Sequence, residues 1–93
     1  MALEKVRRNK GGHFVFYDGC GILRLSENMR EAMGNPDMIS LFVDREEKHL
    51  GLKVHGDDTF NVRSNGQVYC KLPLPEKRYH FEKMVENDIY LCV

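Results

Sequence analysis

The chain has 93 residues, 42% apolar and 30% charged, and its fourteen basic residues balance fourteen acidic ones to a formal net charge of zero. That length is one domain's worth of chain, and that composition excludes a disordered or fibrous protein. The longest apolar run falls far short of the roughly 18 residues of a membrane helix, no apolar stretch follows the basic N-terminus as a secretory signal requires, and a neutral protein holds phosphate only where its charges segregate.

Segregation is found first at the N-terminus. Residues 1–13 carry Lys5, Arg7, Arg8, Lys10 and His13 against a single acid, Glu4. Residues 1–12 therefore read as a basic, flexible arm, and residues 13–93 as a single compact β-rich domain. After Gly11-Gly12, the run HFVFY (13–17) has the aromatic and β-branched content of a strand. Asp18-Gly19 is a turn signal, and ILRL (22–25) is a second strand whose alternation puts Ile22 and Arg24 on one face and Leu23 and Leu25 on the other. Ser26 is a good N-cap, Glu27 suits the first turn, and Met29, Ala32 and Met33 share a stripe, which predicts a short helix over about 27–33. Gly34 supplies a left-handed stop and Pro36 forbids continuation.

MISLFV (38–43) and HLGLKV (49–54) form a predicted hairpin across the polar DREEK loop. TFNVR (59–63) and QVYCKL (67–72) flank Ser64-Asn65-Gly66, and Asn-Gly predicts a hairpin between them. Pro73 and Pro75 end that strand. The last segment reads with period two as a hairpin turning at Asn87-Asp88 into IYLCV, with a short helix over 76–85 as the alternative. The expected fold is α+β but mostly β: a small antiparallel sheet or barrel of hairpins carrying one short helix.

The run GILRLSENMREAMGNPDMISLFVDREEKHLGLKV (21–54) resembles the AbrB/MazE-like swapped-hairpin β-barrel family, with Gly21, Leu25, Met29, Arg30, Met33 and Gly34 at pattern positions. The resemblance covers a little over a third of the chain. It implies a cytoplasmic, homodimeric, DNA-binding transcriptional regulator of bacterial or phage type. Arg24, Arg30 and the arm residues Arg7, Arg8 and Lys10 then touch the phosphates of duplex DNA. The sequence departs from the family pattern at Ile22 and Ser26, and Glu31 follows Arg30 where many members place a second basic residue.

No catalytic constellation is legible. His13, His49, His55 and His80 are dispersed without HxxxH or HExxH spacing, so no metal and no cofactor is expected. HGDD (55–58) reads as a polar turn. Cys20, Cys70 and Cys92 lack a CxxC pair and read as reduced, largely buried thiols. The strand aromatics Phe14, Phe16, Tyr17, Phe60, Tyr69, Tyr79, Phe81 and Tyr90 either build the core of a Trp-less domain or stand beside Arg and Lys as a stacking platform for single-stranded nucleic acid. The alternative to DNA binding is a protein-binding module, such as a phage- or mobile-element-encoded inhibitor or adaptor, that pairs a free strand edge with its partner.

Overall fold

The computed structural model describes Ala2, Leu3 and residues 12–93. Arg7, Arg8 and Lys10 lie outside the described residues, as does most of the basic arm. The chain runs β1 (Phe14–Tyr17), β2 (Ile22–Leu25), α1 (Glu27–Ala32), β3 (Met38–Asp44), β4 (His49–Val54), β5 (Phe60–Asn61), β6 (Gln67–Tyr69), β7 (Lys77–Val85) and β8 (Ile89–Cys92), with a 3-10 turn at Glu86–Asp88. The eight strands form one antiparallel sheet in the order β5-β3-β4-β8-β7-β1-β2-β6, bent into a nearly closed barrel. The fold is thus mostly β with one short helix.

Local chemistry explains the corners. Asp18 Oδ1 accepts from the N–H groups of Cys20 (2.7 Å), Gly21 (2.9 Å) and Ile22 (3.0 Å), which folds the β1–β2 turn. The Ser26 hydroxyl accepts from the Met29 N–H (3.1 Å) and from the Phe14 N–H (3.2 Å), and donates to the Gly12 carbonyl (3.1 Å). One residue therefore caps α1 and ties it to the start of β1. At the other end Gly34 takes a φ of 82°, its N–H reaches the Glu31 carbonyl, and the Asn35 N–H reaches the Arg30 carbonyl. That pair of bonds is a Schellman stop. Met29 and Met33 are buried, whereas Ala32 of the expected stripe is exposed.

The last segment is a hairpin: β7 pairs with β8 around Asn87 and Asp88, whose left-handed φ values of 61° and 59° suit those residue types. β7 is long because it serves two neighbours. Its first half pairs with β1 and its second with β8, and an irregularity between Phe81 and Lys83 lets it bend from one to the other.

The Asn65-Gly66 turn forms, but the expected hairpin around it does not. β5 pairs with β3 and β6 pairs with β2, so the two strands flanking the turn lie at opposite ends of the sheet order. Two backbone bonds close it: the Arg63 N–H donates to the Gln67 carbonyl at 2.9 Å, and the Gly66 N–H donates to the Arg63 carbonyl at 2.8 Å. The turn joins the two edges of the sheet. β5 and β6 are shorter than their apolar patterns suggest because each has ladder partners over only two or three residues.

Inward positions of the strands meet in one core that includes Val15, Tyr17, Leu23, Leu25, Ile39, Leu50, Leu52, Val68 and Tyr79. Two buried phenols are satisfied. The Tyr17 hydroxyl accepts from the Leu72 N–H (2.8 Å) and donates to the Leu72 carbonyl (3.2 Å), and the Tyr79 hydroxyl donates to the Pro75 carbonyl (2.7 Å). The three cysteines are free thiols: Cys70 and Cys92 are buried, and Cys20 stands exposed in the β1–β2 turn.

Candidate nucleic-acid interface

Strict alternation along β1 sends Val15 and Tyr17 into the core, so Phe14 and Phe16 face outward. The same parity turns Ile22 and Arg24 outward on β2, Gln67 and Tyr69 on β6, and Arg78 and His80 on β7. Register then decides which of them become neighbours. Phe16 lies opposite Arg78 on one side and Arg24 on the other, and Arg24 lies opposite Gln67. A row Arg78–Phe16–Arg24–Gln67 crosses four adjacent strands, about 14 Å at the usual strand spacing. Phe14 stands opposite His80, with the ring centroids 6.1 Å apart, and Ile22 stands opposite Tyr69. None of these eight outward positions is acidic.

Cations lie over the rings. The Arg78 guanidinium sits 4.7 Å from the Phe14 centroid, and that of Arg63, from the closing turn, sits 4.3 Å from the centroid of Tyr69. Tyr69 is 50% exposed. Two carboxylates, Asp18 and Glu76, stand at the β1–β2 turn end of the strip, where the Glu76 backbone and Cβ approach Gly19. Donation from the Ile22, Cys20 and Gly21 N–H groups holds the Asp18 carboxyl below its ordinary value, so it stays ionised. The strip is therefore cationic across its middle and acidic at one corner.

The two described arginines expected to touch phosphate have different surroundings. Arg24 is exposed on β2, in the middle of the row. Arg30 is half-buried on α1: its Nη1 donates to the Ser64 carbonyl at 2.9 Å, and its buried Nε has no hydrogen-bond partner. It braces the helix against the closing turn. An open cleft of about 300 Å³ beside it is lined by residues including Asn35, Asp37, Arg63 and Ser64. A second open cleft, of about 340 Å³, lies near Ser40, Lys53, Asp57 and Phe60 on the other half of the barrel. The Ser40 hydroxyl donates to the carbonyls of Asp57 (2.7 Å) and His55 (3.3 Å), so HGDD is a turn pinned onto β3. Among the described residues no group of three or more His, Cys, Asp or Glu is placed to hold a metal ion.

Of the eight strand aromatics, Tyr17 and Tyr79 are core residues and Phe81 and Tyr90 pack against the core, with their rings 5.6 Å apart. Phe14, Phe16 and Tyr69 instead share the outward face, and Phe60 is exposed on β5. Arg63 and Arg78 were not among the expected site residues. Their signal was present in the outward parity of Arg78 and in the Arg63-to-Tyr69 spacing, but it becomes legible only once β7 is known to lie beside β1.

Family models, curated proteins and solved structures offer no match to the chain.

Proposed function

We propose that the protein is a small, non-enzymatic nucleic-acid-binding protein whose contact surface is the outward face of β7-β1-β2-β6. The observation that carries the reading is the row Arg78–Phe16–Arg24, two guanidinium groups flanking an aromatic ring on a sheet face without an acidic side chain between them. Phosphate contact needs local cations rather than a net positive chain, and this strip supplies them together with Arg63. The DNA-binding regulator role and the homodimer implied by the swapped-hairpin resemblance are the form this proposal takes if the ligand is duplex DNA. Arg30, engaged with Ser64, has a mainly positioning part in it.

The test is a salt titration of binding to a labelled oligonucleotide. Three phosphate-contacting arginines give a slope of log affinity against log salt of roughly −2 to −3, and Arg24→Gln or Arg78→Gln each lowers that slope by about one. A slope near zero, or one that neither variant changes, sinks the proposal.

One observation favours a protein partner as the second reading. Beyond Ile39, β3 has β4 on one side and no strand on the other among the described residues. Phe42 on that edge is 45% exposed and, with Ile89, closes over Gly51, where a Cβ would meet Ile89 Cγ2 at 2.9 Å. A protein adding a strand there by main-chain pairing is lost on Phe42→Lys, while the Arg24 and Arg78 variants leave it untouched. Light scattering of the isolated protein, wild type against Phe42→Lys, tests whether that partner is a second copy.

A further inference from the structure

Resting on the nucleic-acid reading, the geometry points to a narrower ligand: we infer that the strip takes single-stranded nucleic acid, with bases stacked on Tyr69 and Phe16 and phosphates held by Arg63, Arg24 and Arg78. Three observations converge on this. First, the rings lie on the outer face of short barrel strands rather than on a protruding ribbon or helix. Duplex readout requires an element that enters a groove, and α1, the one α-helix among the described residues, has six residues and is braced to the closing turn through Arg30. Second, half-exposed Tyr69 carries the Arg63 guanidinium over its ring, and such a ring–guanidinium pair can stack an unpaired base. In a duplex those base faces are already covered by their neighbours. Third, the spacing fits. Ile22 and Tyr69 stand one outward position along the strands from Arg24 and Gln67, so Tyr69 and Phe16 lie on neighbouring ranks of the sheet, on strands separated by β2. A backbone crossing the row diagonally places about two or three bases on the strip.

The experiment uses the whole protein and fluorescence anisotropy at about 50 mM salt. The probes are an oligothymidylate and an oligouridylate of about 12 nucleotides, and a duplex of the same length. Single strands are expected to bind at least tenfold tighter than the duplex. Tyr69→Ala is expected to weaken single-strand binding by roughly 5- to 100-fold, and Tyr69→Phe, which keeps the ring, to restore most of it. Tyr69 is half exposed, so its truncation leaves the core intact. A preference between the two single strands assigns the sugar. Duplex binding as tight as single-strand binding, or affinity indifferent to Tyr69→Ala but reduced by Arg24→Gln, overturns the single-strand inference and leaves the nucleic-acid reading standing. Absence of binding to all three probes overturns both.

Discussion

Barrel closure depends on one glycine. Gly66 follows Asn65 in the turn between the two sheet edges and has a φ of 83°; a Cβ added there would sit 2.9 Å from the Leu25 carbonyl oxygen and 3.1 Å from Arg30 Nε. The backbone bonds on either side allow little retreat: the Gly66 N–H donates to Arg63 at 2.8 Å, and the Gly66 carbonyl accepts from Leu25 at 3.0 Å. Gly66→Ala therefore carries two costs. The left-handed conformation alone costs an L-residue about 1–2 kcal/mol. Relieving the contact with a backbone oxygen weakens the Leu25–Gly66 bond, for about 1 kcal/mol more or somewhat beyond it. The sum is about 2–4 kcal/mol, or roughly 8–30 °C in Tm for a domain of this size. Gly34→Ala is the matched control, because Gly34 has nearly the same φ of 82° and nothing within 4 Å of a built Cβ. It is expected to lose only the conformational part. Urea unfolding of wild type and both variants, with comparable m-values, isolates the steric difference. If Gly66→Ala and Gly34→Ala fall within about 0.5 kcal/mol of each other, the approach of the turn to β2 is not tight and the reasoning about closure is wrong.

Tyr17→Phe leaves the Leu72 N–H and carbonyl without the hydroxyl that serves both, and a loss of about 1–3 kcal/mol in urea unfolding is expected; no loss means water replaces the hydroxyl freely. Ser26→Ala removes the N-cap of α1 together with two links to the start of the barrel, so it should cost about 2 kcal/mol, the upper end for a cap, by the same assay. Thiol titration of the native protein should find one fast cysteine, Cys20, and all three after unfolding. Burial pushes the Cys70 thiol up to about 11, helped by the Asp18 charge, and the Cys92 thiol up to about 12, from an ordinary 9.0. The unfolded chain therefore releases these protons first, and stability present below pH 9 falls as pH rises toward 11–12. Urea midpoints at successive alkaline pH values check the direction, and a midpoint that rises through this range contradicts it.

What was legible in the sequence was local. Ser26 and Gly34 bound a helix by chemistry that acts within one turn, and the structure places the helix between them. Asp18-Gly19 and Asn87-Asp88 mark real reversals for the same reason, and period-two alternation separated Leu23 and Leu25 from Ile22 and Arg24. The misread element was the Asn65-Gly66 hairpin. An Asn-Gly pair specifies that the chain turns, not that the flanking strands stay together, and here β5 is drawn onto Met38 and Ile39 while β6 follows Ile22 to Arg24. Pairings at long separation were equally invisible. Tyr17 bonds Leu72 across 55 residues, and Phe14 meets His80 and Arg78 only because β7 returns beside β1. The candidate strip consists almost wholly of such meetings, so composition hinted at its parts and could not assemble them. Arg24 was anticipated; Arg63 and Arg78 were not.

The parity of β1 gives the strip its functional weight. A small barrel admits few large side chains, and the inward positions of this one already hold Tyr17 and Tyr79 with their hydroxyls satisfied. Phe14 and Phe16 alternate with Val15 and Tyr17, so no register of β1 buries all four on the same side. The two phenylalanines are thus left on the outer face, where polar residues meet the needs of folding at less risk of aggregation. Arg78 lies over one of these rings and stands opposite the other, with Arg24 on its far side. Arginine over an outward aromatic ring sets a cation beside a stacking surface, the two features a flat, anionic ligand engages. Folding alone requires neither the rings nor their arginines at these positions, whereas binding of a single strand uses both. Replacing Phe16 by Thr, a good strand former, separates these demands. Phe16 is partly buried, so stability should fall by about 1 kcal/mol with the protein still folded, and single-strand affinity should fall by the 5- to 100-fold expected for a lost stacking partner. If instead the protein unfolds and the remaining folded fraction binds as before, Phe16 belongs to the core and the strip loses its central ring.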